Sequence, residues 1–72
     1  MKTILLGWVA GIIYSDGCEW LFNNRMELKD AEEVARTWPS KAEAEKALAE
    51  WRRNNPKCRH EGLVRKYFLE VY

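Results

Sequence analysis

The clearest periodic signal in the chain lies between residues 40 and 53. Ala44, Ala47, Leu48 and Trp51 fall at i, i+3, i+4 and i+7, while Lys41, Glu45, Lys46, Glu50 and Arg53 take the remaining surface. That spacing predicts one amphipathic helix over about 41–53. Ser40 and Glu43 form an S-x-x-E capping box at its start, and Pro39 stands just before the cap, where a missing N–H costs nothing. Asn54 or Asn55 followed by Pro56 ends it. Glu43–Lys46 and Glu50–Arg53 are three apart and can pair on the wet side.

The first 23 residues read as a β-hairpin. Thr3 to Tyr14 is rich in Ile, Leu, Val, Trp and Tyr, and Asp16-Gly17 is a two-residue turn signal. With those two residues as the loop, Ile13 faces Trp20 and Gly11 faces Phe22. Val9, Ile13, Cys18, Trp20 and Phe22 then share one face with Gly7 and Gly11. Trp8, Ile12, Tyr14 and Leu21 share the other with Glu19 and Asn23, and those polar residues place that second face outward. The alternative is that Gly11 marks a bend or bulge, and a slip of one residue exchanges the faces.

Downstream, Asn23-Asn24 suggests a turn, and Asp30 is placed to cap a short helical turn through Ala31, Glu32, Glu33 and Val34. Ala35 to Trp38 runs extended into the helix cap. Residues 57–62 form a polar loop, and Leu63 to Tyr72 is a closing strand. In it Leu63, Tyr67, Leu69 and Val71 alternate with Lys66 and Glu70, while Arg65 joins the apolar set and Phe68 and Tyr72 the polar one. The expected fold is therefore α+β: a three- to four-stranded, mainly antiparallel sheet with one helix on one face. Its chain order is strand, strand, short turn or strand, helix, strand.

Seventy-two residues make a single compact domain, 1–72. At this size roughly 60% of the unfolded surface is buried, so stability depends on a dense core. Four Trp, three Tyr and two Phe supply it, and 47% hydrophobic content argues against disorder. The formal charge of +1 conceals a gradient. Residues 16–33 hold six acids against Arg25 and Lys29, whereas residues 52–66 hold six Lys/Arg against Glu61.

Two cysteines, Cys18 and Cys58, are too few for a disulfide-scaffolded secreted domain, and two buried, reduced thiols are expected. Lys2, the run ILLGWVAGII and Ser15-Asp16-Gly17-Cys18 superficially resemble a secretory leader. Ser15 and Asp16 replace the apolar and small residues such a site wants, so a strand is expected instead. The apolar run is also too short to span a bilayer, and a cytoplasmic location is expected.

Little in the chain points to catalysis. Cys58-x-His60 with Cys18 gives three metal-ligand types at an unfavourable spacing, so no metal or other cofactor is expected and His60 is expected to be solvent-exposed. A Cys–His nucleophile pair lacks an orienting third group. The acid pairs Glu32-Glu33 and Glu43/Glu45 are explained by helix solubility, the two serines by a turn and a cap, and the glycines never cluster as a phosphate cradle requires. The expectation is a protein that is not an enzyme.

One short helix covers one side of a sheet. Trp8, Ile12, Tyr14 and Leu21, with Phe68 and Tyr72, are left on a face without an evident cover, which marks them as partner-binding residues. The alternatives are scattered apolar residues on a wet face, or a cover formed by residues 24–37. A second candidate surface is the basic set Arg52, Arg53, Lys57, Arg59, Arg65 and Lys66, which could bind phosphates, with Tyr67 and Phe68 available to stack on bases. Against it, Arg52 and Arg53 complement the helix dipole, and the whole-domain charge is near zero.

The stretch from Ala35 to Leu48, A-R-T-W-P-S-K-A-E-A-E-K-A-L, resembles a segment of many small proteins of phages and prophages. In those a short strand ends in an aromatic residue, a Ser or Thr caps, and an E-A-E-K-A-type helix follows. The resemblance implies a compact phage-type accessory protein in a bacterial host, a class that includes anti-CRISPR-like inhibitors acting without catalysis by occupying a surface on a host protein complex. No functional residue transfers with it. The expected function is a non-enzymatic protein-binding module that engages a host protein, or a second copy as a homodimer, with nucleic-acid binding as the alternative.

Overall fold

A computed structural model describes residues 2–30 and 35–71. Strands β1 (Lys2–Ile13), β2 (Glu19–Phe22) and β3 (Leu28–Asp30) precede helix α1 (Lys41–Asn54), and β4 (Glu61–Val71) closes the chain. The strands form one antiparallel sheet in the order β3-β2-β1-β4, and α1 packs on one face of it. The α+β architecture expected from the pattern is the one observed.

The helix is built as its caps dictate. The Ser40 hydroxyl accepts from Glu43 N–H (3.2 Å) and donates to the Glu43 carboxylate (3.1 Å). At the other end Asn55 N–H donates to the Arg52 carbonyl (3.2 Å) and its side-chain amide to the Trp51 carbonyl (2.8 Å), satisfying two otherwise orphaned acceptors. Ala44 and Leu48 are buried, with Ala47 and Trp51 beside them. Among the described residues the ion pair on the wet side is Lys41–Glu45 at 3.7 Å, in place of the expected Glu43–Lys46 and Glu50–Arg53.

The hairpin forms where expected but in a different register. Gly11 pairs with Leu21, Ile12 with Trp20 and Ile13 with Glu19, one residue away from the two-residue-loop alignment. The loop has three residues, Ser15-Asp16-Gly17: Tyr14 N–H donates to the Cys18 carbonyl and Gly17 N–H to the Tyr14 carbonyl, both at 2.9 Å. A two-residue type I′ loop would put Asp16 at positive φ. Here the positive φ falls on Gly17 (88°), and the Asp16 carboxylate is free to accept from Cys18 N–H at 3.0 Å.

The slip exchanges the faces of β1 relative to β2, whose residues keep the sides expected of them. Trp8, Ala10, Ile12, Trp20 and Phe22 stand on the helix side, and Val9, Ile13, Glu19 and Leu21 on the other. The core against α1 is Ala10, Phe22, Trp38, Ala44 and Leu48, flanked by Trp8, Met26, Leu28, Trp51 and Val64. Phe22 and Trp51 rings meet at 5.2 Å.

A second hairpin joins β2 to β3 through a loop of the same design. Asn23 N–H donates to the Glu27 carbonyl and Met26 N–H to the Asn23 carbonyl, both at 3.0 Å. Met26 takes the position that Gly17 occupies in the first loop, at φ 57°, and its side chain packs against the core. Asp30 ends β3, and the helical turn it was expected to cap, at 31–34, lies outside the described residues. Residues 35–38 then run extended. Arg36 N–H donates to the Phe22 carbonyl, and Trp8 and Trp38 exchange two backbone bonds, all at 2.8 Å. This two-way exchange at Trp8 requires Gly7: its φ is 142°, and a Cβ there would lie 2.7 Å from the Trp38 carbonyl oxygen.

The sheet curls toward its helix-free side. Glu19 stands level with Ile13 and Arg65 level with Val9, two strands and four residues apart. In a flat sheet their Cα atoms would be about 16 Å apart, yet Arg65 Nε donates to Glu19 Oε1 at 2.9 Å. At Gly11 β2 comes so close that a Cβ would meet the Trp20 carbonyl oxygen at 1.9 Å. Val9 and Leu21 are buried on this concave side, at 0% and 2% exposure.

Candidate interaction surface

β1 is three times as long as β2, and the excess decides where the surface lies. β2 pairs with residues 11–13 of β1 and Trp38 bridges at Trp8, so residues 2–6 have β4 as their only strand neighbour among the described residues. There β1 and β4 form a two-stranded ribbon beyond the helix-covered body. At its root the register passes from Leu5–Phe68 to Gly7–Tyr67, leaving Leu6 as the extra residue of a bulge.

Among the described residues, the large apolar side chains that stay exposed all sit on this ribbon: Ile4 (45%), Leu5 (51%), Leu6 (46%), Phe68 (49%) and Leu69 (48%). Leu5 and Phe68 share the helix-side face, while Ile4 and Leu69 share the other. Half of each such side chain is roughly 100 Å², so the ribbon presents about 500 Å² of apolar surface, divided between its two faces. A two-stranded ribbon is marginal alone in water and gains stability when something packs against it. Among the described residues its β4 edge is open too, because β4 is the terminal strand of the sheet.

The six residues expected to bind a partner do not share a face. Ile12 and Leu21 are buried, on opposite sides of the sheet, so neither is available to a partner; the one-residue slip is the reason. Trp8 is half-buried against the core, with the Lys66 ammonium 5.8 Å from its ring centroid. Tyr14 is half-buried, edge-on to Trp20 (5.4 Å) and to His60 (4.4 Å), so His60 packs on a ring instead of standing free in solvent. Phe68 is on the exposed ribbon, and Tyr72 lies outside the described residues. Ile4, Leu5, Leu6 and Leu69 were missed. The signal was the mismatch between a long first strand and a short second one.

The basic set also divides. Arg52 and Arg53 end α1, and Lys57 and Arg59 follow in the loop. Arg65 is tied to Glu19 on the concave side and Lys66 lies over Trp8 on the helix side. Four cations therefore cluster at one end of the helix instead of six along one surface.

An open cleft of about 520 Å³ runs between α1 and the residues Met26, Arg36 and Trp38, with Trp51 also in its walls. Its rim alternates Arg36 and Lys46 with Glu43 and Glu50, and the Arg36 guanidinium is 4.8 Å from the Trp38 ring centroid. Titration is perturbed elsewhere, at the first hairpin loop. The Cys18 backbone N–H holds the Asp16 carboxyl below its ordinary range, and the hydrogen bond to Asp16 pushes the Cys18 thiol up. Both cysteines are free; Cys18 is exposed rather than buried, and Cys58 is half-buried.

Among the described residues no three His, Cys, Asp or Glu side chains gather as metal ligands, and no helix is long and apolar enough to cross a membrane. Compared with protein-family models, curated proteins and solved structures, the chain matches none.

Proposed function

We propose that this protein is a non-catalytic binding module that acts by seating its apolar ribbon against another protein. One observation carries the reading: Ile4, Leu5, Leu6, Phe68 and Leu69 are each about half exposed on both faces of a ribbon whose β4 edge is open among the described residues. Covering them would add several kcal/mol at roughly 25 cal/mol per Å². The finer reading, a phage- or prophage-type inhibitor of a host complex in the bacterial cytoplasm, rests on the resemblance of residues 35–48. Capture from a bacterial lysate on immobilised protein tests it, with wild type compared to Leu5→Ser plus Phe68→Ser. The module reading predicts that the double variant stays folded and loses its bound protein. Unchanged capture and unchanged association state would overturn it.

A second reading is nucleic-acid binding by Arg52, Arg53, Lys57 and Arg59, favoured by their convergence at one helix end. Neutralising Arg53, Lys57 and Arg59 should then abolish a low-salt gel shift, and absence of any shift with wild type removes this reading.

A further inference from the structure

The ribbon exposes side chains on both faces and backbone along its edge. A partner lying flat on one face would leave the other in water. A strand added beside β4 meets both rows at once and completes the backbone ladder. β4 is the outermost strand, so its outer edge is open to such an addition.

The strand that fits this edge is β4 itself. Two copies related by a two-fold axis normal to the sheet pair antiparallel, and opposed residues share a face. Centring the pair on Phe68 sets Phe68 against Phe68, Tyr67 against Leu69, and Lys66 against Glu70, the last two twice by symmetry. Neighbouring registers are worse. Centring on Lys66 opposes two lysines, centring on Tyr67 sets Lys66 against Phe68 and Val64 against Glu70, and centring on Leu69 sets Phe68 against Glu70. Opposite charges and aromatic pairs across a ladder stabilise it, and like charges destabilise it.

Resting on the reading of the ribbon as the contact surface, we infer that its partner is a second copy of this chain, joined β4 to β4 about Phe68. The two sheets become one eight-stranded sheet, and the apolar residues of both ribbons form a continuous band on each face. The contact is small, so the dimer forms with increasing concentration.

Sedimentation velocity from about 1 to about 200 μM reads the association directly. Wild type should pass from monomer to dimer across this range. Lys66→Glu and Glu70→Lys, each alone, set like charges opposite each other twice, and each should weaken the dimer at least about tenfold. An equimolar mixture of the two variants should regain it as a heterodimer, because both cross-strand pairs are then opposite in charge. Far-ultraviolet circular dichroism confirms that each variant is folded, and recovery in the mixture excludes misfolding as the cause. Wild type that stays monomeric, or variants that dimerise like wild type, or a mixture that does not recover, would overturn the inference. If wild type is monomeric while Leu5→Ser plus Phe68→Ser still abolishes capture from lysate, self-pairing fails and the ribbon reading stands. If neither measurement responds, both fail.

Discussion

Gly11→Ala is the sharpest probe of how this sheet is put together. A Cβ at position 11 would lie 1.9 Å from the Trp20 carbonyl oxygen, 2.8 Å from Leu21 Cα and 2.9 Å from the Trp20 carbonyl carbon. Carbon and oxygen normally keep about 3.3 Å or more apart, so β2 would have to retreat by roughly 1.4 Å. The obstructing atoms are backbone, and no rotamer change relieves them. The displacement would strain the Gly11–Leu21 and Ile12–Trp20 pairs and loosen buried Ile12, Leu21 and Phe22. Overpacking and lost ladder bonds together should cost about 3–5 kcal/mol. A chain of this length has roughly 4–11 kcal/mol in total. The melting temperature, followed by the fluorescence of the four tryptophans, should fall by at least about 12 °C. Gly62→Ala is the control. Its Cβ would approach only Arg52 Nη1 (2.8 Å) and Leu48 Cδ2 (2.9 Å), the movable ends of side chains. Its loss should stay below about 1 kcal/mol. A Gly11→Ala protein melting within about 3 °C of wild type, or a Gly62→Ala protein harmed equally, refutes the reasoning.

Ser40→Ala removes the oxygen that receives Glu43 N–H; it should lower stability by about 1 kcal/mol, and Ser40→Asp should retain most of it in urea titrations. Asp16→Asn should speed alkylation of Cys18 by iodoacetamide near pH 8, because the negative charge that helps hold the thiol protonated is gone; equal rates would show that the pair does not persist in solution. The sign for Asp16 is the opposite. Its depressed carboxyl favours the fold above the ordinary carboxylate range, and that contribution disappears as pH falls through the depressed value, so wild type and Asp16→Asn should converge in strong acid. A double-mutant cycle on Glu19 and Arg65 should give a coupling below about 1 kcal/mol that shrinks with salt, since both side chains are more than a third exposed; a salt-independent coupling above that would mean the pair holds the curl.

The parts of the fold legible in the chain were those where one signal decides. Ser40 and Glu43 with the Ala44–Leu48–Trp51 stripe determined the helix, and the alternation from Leu63 onward determined the last strand. The hairpin was legible in place but not in register. Asp16-Gly17 serves a two-residue and a three-residue loop equally, and the choice turns on whether Asp16 takes positive φ. That single step moved Trp8 and Ile12 to the helix side. β3 was hidden because Met26 fills a position where glycine is the usual sign of a turn. The candidate site was hidden for another reason. Thr3-Ile4-Leu5-Leu6 is a continuous run without alternation, and only the pairing partners of its neighbours show that no described residue covers it.

The central claim is that residues 2–6 and 67–71 form the surface on which this protein meets another. Hydrogen exchange read by mass spectrometry, on dilute monomer and on the associated state, tests it most directly. In dilute protein the amides of this ribbon should exchange far faster than those of residues 9–12, and on association they alone should slow. Ribbon amides already as protected as the centre of β1 in the monomer, or protection arising only at α1 or its following loop, would contradict it.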